Sequence, residues 1–118
     1  RIVVLDASAP WTGTLPAASG SGAIYTVIVN TAATGTAHKI TCGTLDILKG
    51  FAHFSSTTTD DAHSFLTTAT DDNISLNGTT KGGIGGDKIV IVDAKLSIYQ
   101  ISAWLCGSGT IETGFAAT

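Results

Sequence analysis

The sequence predicts an all-β domain, a single antiparallel β-sandwich or jelly-roll-like barrel of about nine or ten short strands. Three observations lead there. Short apolar or alternating runs recur along the chain, separated by Gly, Asp, Asn and Ser. Thr, Gly, Val and Ile dominate, while Glu, Lys and Arg are scarce, which is poor helix material and good strand material. No window shows an apolar stripe of helical period bounded by a plausible cap.

Ile2–Leu5 is the first run, and Asp6–Pro10 turns the chain. Trp11–Leu15 alternates and is stopped by Pro16, and Ala17–Gly22 is a loop of small residues. Ala23–Asn30 has high β-propensity throughout, and Thr31–Thr36 is a loop. His38–Cys42 alternates, with Ile40 and Cys42 on one face. Leu45–Leu48 and Phe51–Phe54 read as two short runs punctuated by Gly43 and Gly50. Ser55–Asp61 is a polar loop. Ala62–Ala69 and Ile74–Leu76 flank a turn at Asp71-Asp72-Asn73. Asn77-Gly78 opens the long loop NGTTKGGIGGD, which leads into the strong strand Lys88–Asp93. Ala94–Leu96 turns the chain into Ser97–Cys106, and Thr110–Phe115 is the last run.

The chain of 118 residues is long enough for one domain, 1–118, with its own core. It opens on Arg1 and holds no Met, and Ile2 already reads as strand, which predicts a processed or incomplete N-terminus. Charged residues make up 13%, about half the usual ~25%, so surface polarity must come from hydroxyls. Net charge is −3 and the six basic residues are scattered, which argues against nucleic acid as a partner. No apolar run approaches the roughly 18 residues of a membrane span, and no signal peptide is visible. Cys42 and Cys106 have neither CxxC nor metal spacing and read as buried thiols, with one disulfide as the alternative.

Candidate chemistry is sparse. The glycine loop Gly82–Gly86 looks like a phosphate cradle, but a strand follows it where a phosphate loop needs a helix. It reads as a connection requiring positive φ or close chain approach. His53 and His63, with Asp60 and Asp61 between them, are the one grouping with metal character, and they lack ligand spacing. Asp60-Asp61 and Asp71-Asp72 lack the alternation of a calcium loop and read as turn caps. No nucleophile elbow is present, and Ser64 beside His63 points to the opposite face of a strand. The chain reads as a non-enzyme with no cofactor and no metal. Trp104 reads as core. Trp11, beside Pro10, reads as core or as an exposed interface anchor.

The stretch Asn77–Thr118 resembles the decoration, or capsid cement, proteins of tailed phages. The residues that carry the likeness are Asn77-Gly78-Thr79-Thr80, Gly86-Asp87, Val92-Asp93, Trp104, Gly107-Ser108-Gly109-Thr110 and Phe115. Val4-Leu5-Asp6 with Gly13-Thr14-Leu15-Pro16-Ala17 is similar to the family's opening segment. The run Ala-Ala-Ser-Gly-Ser-Gly after it departs from the family, which has a bulky residue there. The resemblance implies a structural virion protein on the capsid exterior, a homotrimer whose partner is the major capsid protein and whose role is to stabilise the shell. Similar β modules occur in tail fibres and tail spikes, so a receptor- or glycan-binding module is the alternative, with Trp11 and Tyr25 as its first candidates. Loops carry function on rigid β scaffolds. The expected capsid or trimer contacts are accordingly Trp11, Asp60, Asp61, Lys81 and Ile84.

Overall fold

The computed structural model describes residues 1–43 and 45–118. Among the described residues there are ten strands and no helix. They are β1 (Ile2–Leu5), β2 (Thr12–Thr14), β3 (Ile24–Val29), β4 (His38–Thr41), β5 (Ile47–Ser56), β6 (Ala62–Leu66), β7 (Asn73–Leu76), β8 (Lys88–Lys95), β9 (Ile98–Gly107) and β10 (Phe115–Ala116). One sheet has six strands in the order β1-β3-β8-β9-β5-β6, and the other has four in the order β10-β7-β4-β2.

The all-β sandwich is as the composition predicts, but its sheets are mixed rather than antiparallel. β1 pairs with β3, β2 with β4, and β5 with β9, all in parallel. The reason lies in the connections. The chain runs up in the large sheet as β1, down in the small sheet as β2, up again as β3 and down as β4. β1 and β3, and likewise β2 and β4, return to their sheet after one excursion and lie side by side, while β5 and β9 become neighbours after the longer path through β6, β7 and β8. The stretches Asp6–Pro10, Ala17–Gly22 and Thr31–Thr36 are therefore bridges between sheets, not hairpin turns. Parallel pairing requires such crossovers.

Two further expectations change. The two short runs around Gly50 form one ten-residue strand, β5. Gly50 sits inside it at φ 154°, where a Cβ would meet the carbonyl oxygen of Ile101 on β9. Glycine in a strand marks close backbone approach as well as chain ends. The terminal run Thr110–Phe115 contributes only Phe115–Ala116 to a sheet. Ile111 still packs into the core.

The core lies between the sheets. Val27, Val29, Ile89, Ile91, Ile101 and Leu105 from the large sheet meet Ile40, Ile74 and Leu76 from the small one. Leu48, Tyr99 and Phe54 complete the large sheet's inner face, and all three are essentially inaccessible. The Tyr99 hydroxyl donates to the Pro16 carbonyl at 2.7 Å and so ties the second bridge to the core. Cys42 is interior, and burial together with the nearby Asp46 and Asp72 carboxylates pushes its thiol up to about 12. Cys106 is half-buried, and both cysteines are free thiols.

Candidate interaction surfaces

The acidic side chains divide by job. Five of the eight aspartates are buried: Asp46, Asp71, Asp72, Asp87 and Asp93. Burying a carboxylate is costly unless hydrogen bonds replace its water. Here backbone N–H groups of loops supply them. Asp87 accepts from the N–H groups of Gly83 at 2.8 Å, Ile84 at 3.2 Å and Cys106 at 3.0 Å. The glycine loop is an anion cradle after all, and the anion it holds is its own carboxylate. Gly83 lies at φ 89°, and a Cβ there would come within 2.5 Å of the Leu76 Cβ. This fixes why glycine is needed. Burial outweighs these bonds and raises the Asp87 carboxyl above its ordinary value.

Asp93 does the same for the small-residue loop. It accepts from the N–H groups of Ser19 and Gly20 and from the hydroxyls of Ser19 and Ser21. The Ser21 hydroxyl leads in holding its carboxyl down at about 2. Asp72 holds the Thr118 hydroxyl and N–H and the Asn73 amide, and its carboxyl is also lowered, chiefly by Thr118. Asp46 takes the Ala18 N–H, and Asp71 takes the Thr68 N–H. His38, buried on β4, accepts the Trp11 N–H at Nδ1 and donates from Nε2 to the Thr31 carbonyl, so the neutral tautomer pins the first bridge.

The residues expected to make contacts fall in three separate places. Trp11 is half-buried against the core, its indole folded over Gly13. Asp60 and Asp61 are exposed at the tip of the β5–β6 connection, where Asp61 accepts from the Thr59 hydroxyl. Lys81 and Ile84 are half-buried in the β7–β8 loop. Their N–H groups go to Asn77 Oδ1 and Asp87 Oδ2, so the loop's shape is set internally. His53 and His63 do not converge. His53 stands opposite Ser64, with Nδ1 2.6 Å from its Oγ, while His63 pairs with Phe54 on the other face. Among the described residues no group of three or more His, Cys, Asp or Glu side chains could hold a metal ion.

Two surfaces stand out. The first is a cleft of about 670 Å³ at the open side of the sandwich, between edge strands β1 and β2. Trp11, Tyr25, Val3, Pro16 and Arg1 line it, and core residues Val27, Ile40 and Ile91 form its floor. The second is the outer face of the six-stranded sheet. Its register gives one row across every strand: Ile2, Thr26, Val90, Ser102, Phe51, Leu66. The row beside it reads Val4, Ile28, Lys88, Trp104, His53, Ser64, and the row on the other side reads Ile24, Val92, Gln100, Lys49. None of the three rows contains a carboxylate. Trp104 is 46% exposed here and is not core. It stacks edge-on to Phe51, and the Lys88 Nζ lies 5.5 Å from its ring centroid.

This second surface is what sequence reasoning missed. The signal was present in β9, where Gln100 and Ser102 share Trp104's parity and Tyr99, Ile101, Ala103 and Leu105 share the other. Comparison of the chain with family models, with curated proteins and with solved structures gives no match.

Proposed function

We propose that the protein is a structural virion protein, a decoration protein that binds the outside of a phage capsid as a homotrimer and stabilises the shell. The observation that carries the reading is the outer face of the six-stranded sheet. It offers half-exposed Trp104 and Phe51 with exposed Leu66 on the neighbouring strand β6, exposed Ile2 and Val4 on the far edge strand β1, and no carboxylate in its rows. Isolated apolar side chains on a surface are ordinary, but several gathered on one face, as Ile2, Val90, Phe51 and Leu66 are between the hydroxyls of Thr26 and Ser102, mark an interaction site. The face accounts for association between copies, and the motif likeness in Asn77–Thr118 implies the capsid as the partner of the assembled trimer. Many copies that each bury a modest patch strengthen a shell through multivalency.

The test is direct. Light scattering should give a mass three times the 11.9 kDa of the chain. Cosedimentation with expanded tailed-phage capsids should saturate at a fixed ratio to the major capsid protein. A trimer that ignores expanded capsids would refute the reading.

One observation favours a second reading, a receptor- or glycan-binding module of a tail fibre or spike. Trp11 and Tyr25, far apart in sequence, line the same cleft with Arg1. Aromatic faces beside a polar donor suit sugar rings. Under that reading a glycan array gives a hit that Trp11→Ala abolishes.

A further inference from the structure

We propose that the outer face of the six-stranded sheet docks the acidic end of a second copy of this chain. The inference rests on the homotrimer reading and names its contact. It starts from how charge is sorted. With five aspartates consumed as internal loop pins, the exposed carboxylates among the described residues are Asp6, Asp60, Asp61 and Glu112. All four lie at one end of the sandwich. Asp6 follows the last residue of β1, level with Val29 and Asp87. Asp60 and Asp61 cap β5 where Thr57 bonds to Gly107, the last residue of β9. Glu112 accepts from Thr80, whose neighbour Thr79 holds Ser108.

Among the cations, Lys81 follows Thr80 at this same end, which still holds three more carboxylates than lysines. Lys88 and Lys49 stand on the outer face, and Lys95 shares a shallow depression with Lys49 and Gln100 at its lower end. A chain of net charge −3 thus devotes half of its six cations to a face that bears no anion. Two such faces pressed together would bury lysine against lysine, and like charges juxtaposed in an interface cost several kcal/mol. The face fits an acidic partner instead, and the chain's own loop end, where Asp6, Asp60, Asp61 and Glu112 lie, is one. The contact is therefore head-to-tail. Head-to-tail contacts close into rings when the rotation between copies allows, and a rotation of 120° gives the trimer.

Size and anchoring agree. Six strands about 4.8 Å apart and three rows about 7 Å apart make a patch on the order of 600 Å². That approaches the ~800 Å² per partner of a standard interface before any rim is counted. Lys88 is held over Trp104, so the charge is placed beside the aromatic anchor.

The experiment is a charge swap read by sedimentation and light scattering at micromolar concentration. Lys49→Glu with Lys88→Glu should weaken assembly at least tenfold, and so should Asp60→Lys with Asp61→Lys. The chain carrying all four changes should recover assembly to within about threefold of the wild type. All four positions are exposed, and circular dichroism checks that each variant is folded. Assembly indifferent to either pair, or not restored by the combination, overturns the contact. A wild-type chain that stays monomeric yet binds expanded capsids also overturns it, leaving shell binding intact through another acidic surface. Assembly that behaves as stated without any capsid binding upholds the contact and refutes the decoration role.

Discussion

The two faces of the six-stranded sheet use the same residue classes for opposite ends. The inner face packs Val27, Ile89, Ile91, Ile101 and Phe54 to nearly complete burial, and Asp87 and Asp93 at its margins grip loops. No lysine or arginine neutralises either aspartate; backbone N–H groups and serine hydroxyls do the work. The outer face holds apolar side chains half-open to water and its only charges are lysines. The aspartates that fix loops are buried, while the lysines of this sheet stay on its outer face. The two loop pins differ as well. Asp87 is raised because burial dominates, while Asp93 is lowered because hydroxyl and amide donors dominate.

This contrast can be broken at several points. The largest effect is expected at Asp87→Ala, which strands three donors in the interior. At the lower end of the 1–3 kcal/mol per unsatisfied group, it should cost roughly 3–5 kcal/mol in urea denaturation. A loss below about 1 kcal/mol would mean that the loop finds water instead.

The acid response comes next, and the two pins should move it in opposite directions. Asp93 and Asp72 are ionised in the folded chain below the ordinary aspartate value of 3.8. Between that value and about 2 the unfolded chain binds the extra proton at position 93, so stability present above pH 4 is lost as pH falls. Asp87 has the other sign. Its folded carboxyl holds a proton at a pH where the unfolded one does not, so its contribution improves as pH falls toward 3.8. Asp93→Asn should flatten the acid arm of a stability profile between pH 4 and 2, and Asp87→Asn should remove the opposing rise above it. Identical acid arms in wild type and Asp93→Asn would refute the assignment.

Tyr99→Phe deletes one buried hydrogen bond to Pro16 and should cost about 1 kcal/mol. Trp104→Ala should be the mildest for the fold, below about 1 kcal/mol, because only its edge contact with Phe51 and the Lys88 pairing are lost. It should nevertheless weaken assembly strongly. A variant that loses stability but assembles normally would return Trp104 to a packing role.

Much of the fold was legible in the sequence because the strand signals are local. The runs Ala23–Asn30 and Lys88–Asp93 are β-branched, bounded by turn residues, and contain β3 and most of β8. Sheet membership was not legible, since a crossover and a hairpin can have loops of similar composition. The parallel β5–β9 pairing joins residues 51 apart in sequence, as Ile47 to Ile98, and nothing local encodes it. The surface was legible only in part. Asp60 and Asp61 were visible as an acidic loop, but their opposite charges were dispersed as Lys49, Lys88 and Lys95 and meet only after folding. The glycine loop could have been read more closely, because Gly86-Asp87 places an anion beside the N–H groups that need one.

The most direct measurement is a reconstruction of the virion that carries this chain. Ten-stranded sandwiches are expected in groups of three on the exterior of the shell, each with the outer face of its six-stranded sheet covered by a neighbouring copy. Density for the chain on a tail fibre, or on the shell as isolated copies with that face open to solvent, would contradict that arrangement.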